Sequence, residues 1–263
     1  MITSPHNPRV KLAARLRDHR QRKKEQRILI DGAREISRAL AAGVALQEVF
    51  VCAELCRSVE AQQLLDALPG SGAEVLEVSE SVFSKLAFGD RVEGIVAVAA
   101  APSHRLDDIV LPENPLVAVL EGVEKPGNIG AVLRSADGVG VSALVLADPR
   151  TDLYNPNAIR ASLGTIFAVP VASAASEDSL IWLRNQRLQI VAARVEGSVL
   201  YTEIDYCRPT AIVVGSEAEG LSSLWTGDDI RAVRLPMLGA ADSLNVSVAA
   251  AVIFYEALRQ RTR

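Results

Sequence analysis

The chain has 263 residues, 49 % of them hydrophobic, and a formal net charge of −4: enough apolar material for one large core or two ordinary ones, with no overall excess of positive charge. Its longest nearly uninterrupted apolar run, Gly94 to Ala101, falls far short of the roughly 20 residues that cross a bilayer. The charged N-terminus also lacks the apolar stretch of roughly 7–15 residues that marks a secretory signal, so a cytoplasmic protein without a membrane span is expected.

Cys52, Cys56 and Cys207 are odd in number, and the first two have no second pair to complete a zinc site. They read as reduced, mostly buried thiols. His6, His19 and His104 all lie outside the glycine-rich C-terminal half, so neither a metal site nor a histidine triad is expected.

The net charge hides an asymmetry. Residues 1–38 carry eleven Lys/Arg against four Asp/Glu, a local +7 that leaves −11 for the remainder. Such a segment can be an arm that meets a polyanion first, because phosphate contacts by Lys and Arg supply most sequence-independent affinity. It can equally be a solvated helix face, and charge alone leaves both open. In chain order, the Ser4–Pro8 punctuation precedes an amphipathic basic helix from Arg9 to about Lys24. A short strand at Ile28–Gly32, a helix from Ala33 to Ala42 stopped by Gly43, and a strand at Glu48–Val51 follow. A helix near Ser58–Leu68, a strand at Val75–Val78, a helix at Glu80–Leu86 and a strand at Ile95–Ala99 complete a small α/β domain, residues 1–100. Residues 101–115 hold three prolines and little periodicity, the composition of a linker.

The second domain, 116–263, alternates again: strand Leu116–Leu120, helix Ile129–Val139, strand Ala143–Leu146, and helices near Pro156–Leu163 and Asp178–Gln186. Strands at Gln189–Ala193, Ala211–Val214 and Ala232–Leu235 precede a closing helix from about Leu244 to Arg259. Strands that are continuous apolar runs separated by helices imply a parallel sheet covered on both faces, so the fold class is α/β. Gly138-Val-Gly140 is no dinucleotide fingerprint, because these glycines close a helix and precede a strand instead of following a strand and opening a helix.

Three segments carry chemistry. In Glu121–Asp137 a strand end, a Pro-Gly-Asn turn and a helix start bring Asn128 and backbone N–H groups to one mouth, with Arg134 further along. Arg134 can pair with a phosphate or serve as a structural ion-pair partner. In Ile212–Ser222 an apolar strand runs into a loop where Gly215 permits close backbone approach and Glu217 can accept hydrogen bonds. A glutamate-lined loop suits a ligand with ribose hydroxyls, amines or positive charge, which favours S-adenosylmethionine over a nucleotide triphosphate. In Arg234–Ala249, Ser243, Asn245 and Ser247 gather at a helix start, where capping explains one of them and not all three.

Taken together, Asn128-x-Gly130-x3-Arg134, Gly215-Ser-Glu217-x2-Gly220-Leu221 and Leu235-Pro-Met-x5-Ser243-Leu-Asn-Val-Ser-Val-Ala249 resemble the three motifs of the SpoU branch of the SPOUT superfamily, in order and near the C-terminus. That resemblance implies a C-terminal trefoil knot, which generic topology rules exclude, a homodimer, and S-adenosylmethionine-dependent 2′-O-ribose methylation of RNA. It also implies a donor held by backbone at Gly215, Leu235 and Leu244, with Ala193, Gly220 and Ser243 adding to the wall. Arg134, from either subunit, is then catalytic, with Asn128, Glu217 and Asn245 shaping the site. The N-terminal part resembles the small RNA-binding domain many members carry, which favours ribosomal RNA. Transfer RNA, an antibiotic-resistance methylation, and a non-catalytic assembly role remain alternatives. Many relatives have His-Gln-Gly before the last strand of that domain, whereas this chain has Val92-Glu93-Gly94, so a contact through that histidine is absent.

Overall fold

The computed structural model describes residues 1–88, 93–197 and 199–262, so Val92 lies outside the described residues. The chain divides into two compact units, one of residues 1–102 with 154–168 and one of residues 103–153 with 169–263.

The first unit opens with α1 (Pro8–Arg15) and α2 (His19–Glu25). The single basic helix expected from periodicity is thus two, because Asp18 is extended and its carboxylate accepts from the N–H groups of Arg20 and Gln21, capping a new helix. There follow β1 (Arg27–Asp31), α3 (Ala33–Ala41), β2 (Leu46–Val51), α4 (Val59–Ala67), β3 (Glu74–Glu77), α5 (Glu80–Leu86) and β4 (Ile95–Ala100). The sheet runs β1-β4-β2-β3, with β4 antiparallel to both neighbours and β3 parallel to β2. Val10, Ala13 and Leu16 seal one side of it against Leu29, Phe50, Val82, Phe83 and Val98. Gly94 has φ +80°, and a Cβ there would sit 2.7 Å from Cys56 Sγ, so the turn into β4 requires glycine.

The second unit begins at Ser103. Residues 103–115, expected as a linker, are packed within it: Leu106, Ile109 and Leu111 lie against its core. Next come β5 (Leu116–Glu121), α6 (Pro126–Val139) and β6 (Ala143–Ala147). Gly140 stops α6 in the left-handed conformation. The chain then contributes α7 (Pro156–Ala161) to the first unit, where Arg160 pairs with the buried Asp31 at 3.4 Å and Arg38 donates to the Leu163 carbonyl at 2.9 Å. Burial raises the Asp31 carboxyl to about 6 despite that arginine.

Returning, the chain forms β7 (Val171–Ala174), α8 (Ser176–Asn185), β8 (Gln189–Ala193), β9 (Val199–Leu200), β10 (Thr210–Val214), β11 (Ile230–Arg234) and α9 (Val246–Arg261). The seven strands lie in the order β7-β6-β5-β10-β8-β11-β9, every pair parallel. β5, β6 and β10 are buried along their whole length, which is why they read as unbroken apolar runs. Leu180 and Leu183 of α8 and the fully buried Trp225 cover Val117, Val119 and Val213 on one side. Helices α6 and α9 pack on each other, and α9 packs on β10. Among the described residues no helix is long and apolar enough to cross a membrane.

Candidate active site

Because β5, β10, β8 and β11 are adjacent and parallel, their C-terminal ends share one edge of the sheet. Four connections therefore converge there, through residues 122–125, 215–229, 194–197 and 235–245. The crevice outside the carboxyl ends of parallel strands is where open α/β sheets bind ligands.

Each connection is locked to its neighbours. Buried Glu121, the last residue of β5, accepts from the Ser222 N–H and from Ser222 Oγ, both at 2.7 Å. Gly215 leaves β10 so close to the returning chain that a Cβ on it would lie 2.2 Å from the Gly220 carbonyl carbon and oxygen. Gly220 (φ +66°) turns the loop, its N–H donating to the Ser216 carbonyl at 3.0 Å. From the 194–197 segment, the Arg194 guanidinium donates to the carbonyls of Leu221, Ser222 and Trp225. Gly197 lies against β11, where a Cβ would meet the Val233 carbonyl carbon at 2.4 Å, and Arg234 Nη1 donates to the Gly197 carbonyl at 2.7 Å. Residues 235–244 differ from the rest: among the described residues their backbone makes no hydrogen bond within the chain. A run of that length leaves N–H and C=O groups open to solvent or to a ligand.

Beside this run the side chains of three connections form one polar cluster. Asn245 caps α9, its Oδ1 accepting from the Ser247 N–H at 2.9 Å and from Ser247 Oγ at 2.6 Å. Two donors on that oxygen fix the amide orientation. Nδ2 consequently faces the site and donates to Asn128 Oδ1 at 3.4 Å and to Glu217 Oε1. The other carboxylate oxygen of Glu217 accepts from Lys125 Nζ at 2.8 Å. The hydrogen bond from Lys125, with help from Asn128 and Asn245, holds the Glu217 carboxyl below its ordinary range, and Glu217 in turn raises Lys125. Next to that pair, Arg150 bridges Glu124 at 2.6 Å and Glu219, tying the 122–125 connection to the 215–229 connection a second time.

The structure thus brings together Asn128, Glu217 and Asn245. Ala193 ends β8 in register with Val214 and Val233. Leu235 is half-buried just beyond β11, while Ser243 and Leu244 are exposed in the unbonded run. Arg134 is not part of the cluster. Six residues beyond Asn128 on α6, it points elsewhere on the helix, is exposed, and makes no hydrogen bond or ion pair among the described residues. Lys125, Glu121, Arg150 and Arg194 were not singled out in the sequence. Glu124-Lys125 opposite Glu217 and Glu219 is the charge pattern that could have suggested two of them. The carboxylates around the mouth disfavour a phosphate-rich ligand; free backbone, apolar Leu235 and Leu244, and the Glu217 carboxylate suit a heteroaromatic ring with hydroxyls and positive charge. Among the described residues no His, Cys, Asp or Glu group could hold a metal ion.

Residues 115–255 match the SpoU rRNA Methylase family model, and residues 7–97 match the MRM3-like substrate binding domain. The 23S rRNA (uridine(2479)-2′-O)-methyltransferase of Streptomyces viridochromogenes is 30 % identical over 257 residues, which is 94 % of this chain and 88 % of that protein. A crystal structure of an RNA 2′-O ribose methyltransferase is 43 % identical, with a TM-score of 0.88 and coverage of 100 % of this chain and 99 % of the other. The AdoMet-bound SpoU methyltransferase AviRb from Streptomyces viridochromogenes is 29 % identical, with a TM-score of 0.88 and coverage of 98 % and 99 %.

Proposed function

This chain belongs to the SpoU rRNA methylase family, and on that premise we infer that it transfers the methyl group of S-adenosylmethionine to a ribose 2′-hydroxyl of ribosomal RNA. The observation that carries the reading is the Asn128–Asn245–Glu217 hydrogen-bond chain beside the unbonded backbone of 235–244. The bound donor supplies an electrophilic methyl group. The backbone of 235–244, with Gly215, Gly220 and Ala193, would hold the donor; Leu235, Ser243 and Leu244 would wall the pocket. Glu217, kept ionised by Lys125, offers a carboxylate to hydroxyl or ammonium groups of the ligand, and Asn245 fixes that carboxylate's orientation.

Arg134 meets the RNA. Its planar fork of donors suits it to bind the phosphate beside the target ribose and to stabilise negative charge developing on the 2′-oxygen. Its exposure, away from Asn128 and without a side-chain partner among the described residues, supports its entering the site of a second subunit. Val248 and Tyr255, exposed on α9, supply apolar surface for such a homodimer. The C-terminal loops are proposed to be threaded as a trefoil knot. The first unit receives the RNA, consistent with its match to a substrate binding domain, and the enzyme works in the cytoplasm.

The test is transfer of labelled methyl from S-adenosylmethionine to total undermethylated RNA, followed by nuclease digestion. A 2′-O-methylnucleoside in the large ribosomal RNA is expected. Label in transfer RNA would overturn the substrate, and donor binding without transfer to any RNA would overturn the activity.

A further inference from the structure

The eleven basic residues of 1–38 are not equivalent once folded. Arg9 pairs with Glu48 and Glu74 at 3.5 and 2.6 Å, Arg34 pairs with Glu60 at 3.4 Å, and Arg38 donates to a backbone carbonyl. Two more serve as internal fasteners. The buried Arg22 donates from Nη1 to the carbonyls of Leu16 and Arg17, both at 2.7 Å, fixing α2 to the end of α1. Arg17 donates to the carbonyls of Lys85 and Ala87 at 2.8 and 2.5 Å and lies 5.8 Å from the Phe88 ring centroid, fixing the α1–α2 junction to the end of α5.

Arg27 is half-buried at the start of β1, in a crevice it shares with Glu25 and Glu48, which leaves Lys11, Arg15, Arg20, Lys23 and Lys24. All five are exposed, and their side chains have no hydrogen bond or ion pair among the described residues. Lys11 and Arg15 are one turn apart on the side of α1 opposite the buried Val10 and Ala13; Arg20, Lys23 and Lys24 occupy the side of α2 opposite Arg22. The nearby Asp18 is spent on capping, and Glu25 borders a crevice with Leu16, Arg27 and Glu48. Like charges one turn apart repel, and a cation such as Arg20 in the first turn of a helix opposes the helix dipole. Among the described residues no carboxylate pairs with any of the five side chains; a polyanion would offset their mutual repulsion.

We propose that the outward faces of α1 and α2 form a ridge that binds the phosphate backbone of the substrate RNA through Lys11, Arg15, Arg20, Lys23 and Lys24, with Arg17 and Arg22 holding the ridge rigid. The proposal rests on the RNA-methylating reading for the identity of the polyanion. It divides the basic segment into phosphate contacts and fasteners, which charge counting cannot do.

The experiment measures binding of the full chain to a fluorescent ribosomal RNA fragment across a salt series. Each phosphate contact adds about 0.7–0.9 to the slope of log K against log salt, so replacing Lys11, Arg15, Arg20 and Lys23 by glutamine should flatten the slope by about 3. The paired control Arg9→Gln/Arg34→Gln should leave it within about 0.5 of the parent. Circular dichroism and S-adenosylmethionine binding report that the variants are folded. An unchanged slope in a folded quadruple variant, or an equal flattening in the control, would overturn the ridge. Absence of methyl transfer by the parent protein would count against the enzymatic reading alone, because the salt slopes do not depend on turnover.

Discussion

Replacing Gly215 by alanine probes the link between loop packing and donor binding most directly. The new Cβ would lie 2.2 Å from the Gly220 carbonyl carbon and oxygen and 2.4 Å from the Leu221 nitrogen, whereas carbon atoms in contact sit about 3.5–4.0 Å apart. The obstacle is backbone on a tight loop, so no rotamer change relieves it. Either the Gly220–Leu221 segment retreats by roughly 1 Å or more, or the end of β10 shifts; overpacking of this kind costs about 1–3 kcal/mol. Leu221 and Ser222 are held by Arg194 and Glu121, so the retreat disturbs the neighbouring connections of the proposed donor pocket. If the cost falls on the binding-competent conformation, donor affinity drops by about 5- to 150-fold. Isothermal titration with S-adenosylmethionine measures this directly, with Gly70→Ala as a control, since a Cβ at Gly70 meets nothing within 4 Å. Donor binding by Gly215→Ala within two-fold of the parent would refute the reasoning that this close approach shapes the pocket.

Arg134→Ala should leave donor affinity nearly intact while reducing methyl transfer by at least about 100-fold, read by titration and single-turnover assay; lost donor binding with preserved turnover would place the arginine on the wrong side of the reaction. Lys125→Met removes the principal cause of the lowered Glu217 carboxyl. Since a depressed carboxyl stays ionised down to lower pH, the variant's acid limb of kcat/KM should move to higher pH with the plateau largely kept, and an unmoved limb would separate Glu217 from the pH dependence. Arg261 donates to the carbonyls of Asn114, Pro115, Tyr206 and Arg208, pinning the end of α9 to the start of β5. Arg261→Ala should cost about 2–4 kcal/mol in urea unfolding; a loss under about 0.5 kcal/mol would mean that water replaces those bonds without penalty.

Local sequence carried the elements whose cause is local. Continuous apolar runs such as Val117–Leu120 and Ile212–Val214 are strands buried on both faces, and Gly140 stops α6 because it alone there adopts φ +72° at little cost. Asn128, Glu217 and Asn245 could be picked out because each follows a strand whose C-terminal end a parallel sheet must send to one edge. The break between α1 and α2 was also written locally, in Asp18 followed by a basic helix, but the run of charges masked it.

Tertiary structure decided the rest. β7 and β9 have four and two residues, too short for periodicity to register, and they exist because β6 and β11 offer open edges. Residues 154–168 belong with the first unit through partners more than a hundred positions away, Asp31 with Arg160 and Arg38 with Leu163. Which cations are free, and that Lys125 holds Glu217, depends on where distant acids and carbonyls come to rest. A chain can encode the period of its own apolar residues within a few turns, but pairing between remote segments is settled only by the whole packed arrangement.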